Sequence, residues 1–357
     1  MKSTLTLRAG PQALAHIRER GLRPEDIDVI PGASGGAKFF VLGGIDRFLF
    51  SDFLQQPRTR LLHAIGSSIG SWRLACLAQR DPGAALARVH HAYIYEQEYT
   101  PKPSVREITE VSARVLDRLL GPNGVEEILS HPFVRLHVIT AEGRGLAASE
   151  RKLMLALTLA IAAAANVVSR KALALQLRRS IFHTAGGDTP FGTLADFPTA
   201  HHALTRENLR AALLASGSIP TLLAGVALPE TPGSLHWDGG TIDYHLDIDF
   251  GASDGIVLYP HFYSHVVPGW FDKALRWRRA RARNFMRTLL IAPSDEFVAS
   301  LPGGRIPDRR DFQTFSHVER ARRWQTVLDR SAELGEELRK LIATGRIADA
   351  LQPWSPN

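Results

Sequence analysis

The sequence predicts an α/β protein with a mainly parallel sheet, and two observations predict it. An apolar, β-rich run from Ile27 to Gly32 (IDVIPG) stops at glycines, and AKFFVLGGIDRFLF after it returns to helical spacing. The same order of events recurs at once: LLHAIG from Leu61 to Gly66 reads as a buried strand, SSIGS as a tight turn, and WRLACLAQR as a helix closed by Asp81-Pro82-Gly83. Two such units in tandem place parallel strands side by side under covering helices.

The remaining elements follow in order. Residues 11 to 20 read as a short helix ahead of the first unit. GAALARVHHAYIY and VREITEVSARVLDRLL read as helices, and VRLHVITAEGRG (Val134 to Gly145) as a core strand running into a glycine-rich loop. Between about 150 and 185 the rhythm is interrupted by an Ala/Leu-rich helical stretch bracketed by Arg151, Lys152, Arg170, Lys171, Arg178 and Arg179, which reads as an insertion. LTRENLRAALLASGSIP is a capped helix ending at Pro220, and SLHWDGG and GIVLYPH are strand candidates separated by an acidic loop. From about Phe271 the chain reads as mostly helical, strongly basic at first (KALRWRRARARNFMR, Lys273 to Arg287), without sheet signals. The expected organisation is a catalytic domain over 1–265 with its insertion, then a basic, mainly helical extension over 266–357.

Bulk composition narrows the class. A chain of 357 residues with 45% hydrophobic and 22% charged residues has ordinary globular values, against both disorder and an integral membrane protein. The longest apolar stretch, Leu153 to Val168, falls short of the roughly 20 residues a bilayer-spanning helix needs. The N-terminus lacks an apolar core of signal-peptide length, so the expected location is cytoplasmic, with peripheral contact at the inner face of the membrane. Lys and Arg outnumber Asp and Glu by 43 to 36, which favours anionic partners such as phospholipid headgroups or nucleic acid, and charge alone does not choose between them. The single cysteine, Cys76, forms no intrachain disulfide and reads as an apolar filler.

An ester hydrolase needs an oxygen nucleophile on a strained turn between strand and helix, with small residues on either side. Gly66-Ser67-Ser68-Ile69-Gly70 supplies that G-x-S-x-G pattern, with Ser68 as candidate nucleophile and Gly66 and Gly70 forming its elbow. Gly32-Ala33-Ser34-Gly35-Gly36 matches the same pattern, but it continues as Gly35-Gly36-Ala37-Lys38, a run of exposed N–H groups with a cation that suits an oxyanion site. Neither a Walker spacing nor a clean G-x-G-x-x-G is present. Trp237-Asp238-Gly239-Gly240 puts a carboxylate at the end of a strand with room beside it, making Asp238 the candidate base. His63 and His236 raise the alternative of a full triad. Asp243, Asp247, Asp249 and Asp254 lack the spacing of a calcium loop, so no metal and no cofactor is expected.

These motifs, in this order, resemble the patatin-like phospholipases. Ser34-Gly35-Gly36-Ala37-Lys38-Phe39 is similar to that family's glycine-rich oxyanion segment, Gly66-Ser67-Ser68-Ile69-Gly70 to its nucleophile segment, Ala215 to Pro220 to its A-S-x-x-x-P helix end, and Asp238-Gly239-Gly240 to its D-G-[GA]. The resemblance spans residues 27 to 260, with 150 to 185 unfamiliar inside it. It implies a three-layer α/β/α sandwich and a Ser68–Asp238 dyad without histidine. Backbone N–H groups around Gly35, Gly36 and Ala37 would hold the oxyanion, while Lys38 orients that loop or binds a headgroup phosphate. The substrate would be a lipid or other acyl ester, with peripheral contact to an anionic membrane through the basic segments, the cation-flanked 151 to 179 stretch and Lys273 to Arg287 with Trp270, Phe271 and Trp277; nucleic acid is not expected as a partner. Ser34 and Phe39 replace the family's usual glycines, and Phe39 would narrow or tilt the anion site. The rival from another class is a catalytically weak or inactive protein of the same fold that binds lipid or another anionic partner.

Overall fold

The computed structural model describes residues 3–186, 189–251 and 254–354. Its organising element is one sheet of ten strands: β1 (Leu5–Ala9), β2 (Ile27–Gly32), β3 (Leu62–Ser67), β4 (Val134–Gly143), β5 (Leu177–His183), β6 (Thr199–Ala203), β7 (His236–Asp238), β8 (Ile256–Pro260), β9 (Thr288–Pro293) and β10 (Leu351–Pro353). They lie in the order β10-β1-β9-β8-β2-β3-β4-β5-β6, with β7 paired to β4 off that path. Pairing is parallel from β9 through β8, β2 and β3 to β4, and antiparallel at β1/β9, β4/β5 and β4/β7. With helices layered against this mixed, mostly parallel sheet, the fold is the α/β sandwich expected. Every residue of β2 is buried, as a parallel strand covered on both faces must be.

The helix Ile69–Leu77 sits directly behind the centre of the sheet, against β2, β3 and β4, and all of its residues are buried. Its approach depends on glycine: a Cβ on Gly70 would stand 2.0 Å from the Gly32 carbonyl oxygen, and one on Gly66 would stand 2.6 Å from the Ser71 nitrogen. Inside this layer Arg73 donates to both carboxylate oxygens of Asp46 (Nε–Oδ2 2.7 Å, Nη2–Oδ1 2.5 Å), fastening Ile69–Leu77 to the helix Gly43–Ser51. Burial pushes the Asp46 carboxyl above its ordinary value, an effect opposed by Arg73.

Several elements differ from expectation. β1, β6, β9 and β10 are additional strands, and β5 starts inside the stretch read as a helical insertion, where only Lys152–Val168 is an α-helix. β9 is a short run of six buried residues, a pattern shared by central strands and buried helices. The basic stretch from Lys273 to Arg287 forms no α-helix; it holds only short 3-10 turns at Trp270–Ala274 and Ala282–Phe285. Its buried residues Leu275, Ala280 and Phe285 recur every five positions rather than at helical spacing. The C-terminal residues also share the main core: β9 lies between β1 and β8, and the helix Ala332–Ala343 packs on Gly43–Ser51. No helix among the described residues is long and apolar enough to cross a membrane.

Candidate active site

Ser68 stands where β3 turns into the helix Ile69–Leu77, and its backbone is strained, with φ 55° and ψ −134°. That turn lifts the side chain out of the strand line and into contact with Asp238. Ser68 Oγ donates to Asp238 Oδ2 at 2.7 Å, while Gly240 N donates to the other oxygen, Oδ1, at 2.7 Å. Burial raises the Asp238 carboxyl to about 6, against the lowering effect of the Ser68 and Gly240 hydrogen bonds and of Lys273 and Arg309 nearby. At neutral pH Asp238 is therefore a carboxylate with raised basicity.

The sheet explains why two residues so far apart in sequence meet. β3 ends opposite Ile139 of β4, and on the next β4 residue, Thr140, β7 begins its pairing with Asp238. β5 occupies the other edge of β4 there, so β7 prolongs β3 along the same edge. Two short strands thus abut, and their facing ends carry Ser68 and Asp238.

Ser216 ties this junction together, a role that its A-S-x-x-x-P motif did not announce. Its hydroxyl accepts from Ser68 N at 2.9 Å and donates to the Ile139 carbonyl at 2.7 Å. Two residues on, the Ser218 carbonyl accepts from Asp238 N at 2.8 Å. The segment Ala215 to Pro220 therefore touches the elbow, β4 and the carboxylate strand together.

The glycine-rich turn lies against the same elbow. Ser34 is buried, with its Oγ 2.8 Å from Ser67 Oγ, and Ser67 Oγ in turn donates to the Asp243 carbonyl at 2.7 Å. The second G-x-S-x-G serine is thus engaged in packing and has no carboxylate partner among the described residues. Gly36 has φ +55°, a left-handed conformation that glycine supplies without strain. Among the described residues none accepts a hydrogen bond from the backbone N–H of Gly35, Gly36 or Ala37. Phe39 does not obstruct this turn: it is buried against Phe40, His90 and Tyr93, with ring centroids 4.4, 5.2 and 5.2 Å away.

Cations border the pair. Lys273 is exposed overall, but its ammonium rests 3.8 Å over the Tyr244 ring, where desolvation, with Lys38 and Arg309 beside it, lowers it to about 7. Burial also lowers Lys38, an effect opposed by Asp308. Lys273 and Arg309 come from the C-terminal part of the chain, and no sequence motif pointed to them. Neither histidine singled out above bonds to Ser68 or Asp238. His236 is held between Thr140 and Thr231, Nδ1–Oγ1 2.8 Å and Nε2–Oγ1 2.6 Å, and burial depresses it to about 4. His63 meets His137 (Nδ1–Nε2 3.2 Å) and burial depresses it likewise to about 4.

The acidic loop also has other partners. Asp243 receives Arg179 (Nε–Oδ2 2.6 Å) and Arg170 (Nη2–Oδ1 2.9 Å), and Asp196 receives Arg179 (Nη1–Oδ1 2.9 Å), all deep in the protein. Asp247 accepts from Arg281 N at 3.0 Å and from Asn284 at 2.8 Å. Among the described residues no group of three or more His, Cys, Asp or Glu side chains could hold a metal ion.

Fold and site together define an α/β protein with a serine–carboxylate pair at a strand-to-helix elbow. No family model matches the chain, and no curated protein matches it. A solved structure, that of the type III effector protein ExoU, is similar at a TM-score of 0.29 and 16% identity, over 89% of this chain. The chain spans about half of that protein, 54% of its length.

Proposed function

We propose that the protein is a serine acyl hydrolase of the patatin-like kind, cleaving fatty-acyl esters of lipids through Ser68 and Asp238. The observation that carries this reading is the 2.7 Å hydrogen bond from Ser68 Oγ to Asp238 Oδ2, made by a serine in a strained strand-to-helix turn. In this reading Asp238 takes the Ser68 proton as Oγ attacks the acyl carbonyl carbon. The N–H groups of Gly35, Gly36 and Ala37, which have no acceptor among the described residues, stabilise the tetrahedral oxyanion. Collapse expels the alcohol, which leaves with the proton from Asp238. Water, deprotonated by Asp238, then attacks the acyl-Ser68 carbonyl carbon; Ser68 Oγ leaves and takes that proton back from Asp238, which releases the fatty acid and restores the pair. The buried carboxylate suits the base because its raised proton affinity brings it closer to the working pH.

The test is labelling by a fluorophosphonate probe and hydrolysis of p-nitrophenyl acyl esters of several chain lengths. Wild type is expected to label and turn over, Ser34→Ala to do both, and Ser68→Ala to do neither. A wild type that neither labels nor hydrolyses any ester would overturn the reading, and loss confined to Ser34→Ala would transfer the nucleophile role.

A further inference from the structure

Beyond the Ser68–Asp238 site, the largest unexplained feature is apolar surface. The helix Lys152–Val168 turns Leu153 (83% exposed), Leu157 and Ile161 to solvent; they are four residues apart and so share a face. Val168 (87% exposed), Leu175 and Trp277 (66% exposed) are further large apolar side chains left in water, and Val168 and Trp277 line a common surface hollow. A contiguous exposed patch of this kind marks an interaction site.

Charge identifies the occupant. Arg151, Lys171, Arg276 and Arg279 are exposed around these apolar residues. Arg170 and Arg179 are not part of this rim, since they pair with Asp243 and Asp196 in the interior, and the half-buried Arg178 is held by Glu142. Over residues 150–179 and 269–287 the only acids are Glu150 and Asp272. Asp272 is buried, accepting from Asn166 at 2.7 Å and from Gly269 N at 2.9 Å. A second copy of this chain would set cation against cation, whereas an anionic lipid surface complements both the apolar centre and the basic rim.

The patch is also joined to the residues around Asp238. The Asn166–Asp272 hydrogen bond, and Arg278 donating to the Asn166 carbonyl at 2.6 Å, fasten the end of the helix to the 270–274 turn. Lys273 in that turn lies over Tyr244 beside the buried carboxylate.

We propose that this face docks the protein onto an anionic lipid surface, with Leu153, Leu157, Ile161 and Trp277 entering the headgroup–acyl boundary and the surrounding cations meeting the headgroups. The proposal rests on the acyl-hydrolase reading for its purpose, since it fixes where the substrate ester is met, but the contact itself does not need turnover.

The experiment is flotation of the full chain with phosphatidylglycerol-containing vesicles or with pure phosphatidylcholine vesicles, alongside hydrolysis of a soluble short-chain p-nitrophenyl ester. Wild type and Ser68→Ala are expected to float equally with the anionic vesicles and weakly with the neutral ones. The triple variant Leu153→Glu, Leu157→Glu, Ile161→Glu loses partitioning by roughly a hundredfold while still hydrolysing the soluble ester. Should the triple variant fold poorly, the pair Arg276→Glu, Arg279→Glu carries the test, with partitioning expected to fall by about thirtyfold or more. Wild type that stays with neither vesicle, or variants that float as wild type does, would overturn the proposal. So would a wild-type dimer that the triple variant converts to monomer without any vesicle binding, which would assign the face to a second copy. Flotation without ester hydrolysis would leave the docking face standing and remove the hydrolase reading instead.

Discussion

The turn that carries Ser68 is shaped by backbone crowding at Gly66 and Gly70, with Ser216 bonded to Ser68 N, whereas the loop after Asp238 is held by ion pairs gathered from across the chain. The serine's position follows from β3, the turn and Ile69–Leu77, with Gly66 and Gly70 admitting the close approach of helix to strand. The carboxylate ends a strand of only three residues and leads into a loop whose Asp243 is gripped by Arg170 from after the insertion helix and Arg179 from β5. One side of the pair is set mainly by local backbone crowding and the other leads into a network of buried ion pairs, so the two should fail differently.

The largest expected effect is on the electrostatic side. Arg179→Met leaves Asp243 and Asp196 short of a buried partner, and a loss of about 3–5 kcal/mol in unfolding free energy is expected by denaturant titration. Adding Asp243→Asn should recover much of that loss; failure to recover any would show that Arg179 acts by packing rather than charge. Next is the local side. Gly70→Ala drives a Cβ into the Gly32 carbonyl, where backbone meets backbone, and should cost about 3 kcal/mol and open the elbow. Fluorophosphonate labelling should fall further in Gly70→Ala than in Arg179→Met when both are compared at a temperature where each is folded.

Titration of Asp238 sharpens the contrast. The base works only when ionised, so kcat/KM for a soluble ester is expected to rise with pH through about 6. Because the folded carboxyl is raised above its unfolded value, its contribution to stability is fully present below pH 4 and is lost as pH rises through about 6. Asp238→Asn should therefore gain stability relative to wild type across that window while losing turnover; melting curves at pH 4 and pH 7 measure it. Lys273→Met removes a cation that lowers Asp238, so the activity profile should move to higher pH. The smallest effect is expected from Ser34→Ala, which forfeits the hydrogen bond to Ser67 at about 1 kcal/mol and leaves labelling in place.

How much was legible in the sequence follows the same division. Glycine punctuation announced β2, β3 and the elbow, because backbone crowding there requires particular residues at fixed spacing. The Leu5–Ala9 strand was legible too, since Leu5, Leu7 and Ala9 are buried while Thr6 and Arg8 are not fully so, a period of two that went unread. β9 was not, because a short run buried on both faces has no period. β5 was concealed by Arg178 and Arg179, which look like surface cations until Glu142, Asp196 and Asp243 arrive in space. Lys273 and Arg309 reach the site through the tertiary fold, and nothing in their immediate sequence says so.

β4 works as a ruler for the site. Its residues Ile139 and Thr140 carry, side by side, the last rung of β3 and the first rung of β7. The spacing between hydroxyl and carboxylate is thus measured along one strand, whatever length of chain separates the two motifs. Material can be added at the exposed turn around Gly233, between Pro220 and β7, without moving the pair, provided that β7 keeps its rungs. A slip of one residue there would turn Asp238 to the opposite side of the sheet. The tolerance of the fold to insertion and its intolerance of register error are the same fact seen from two directions.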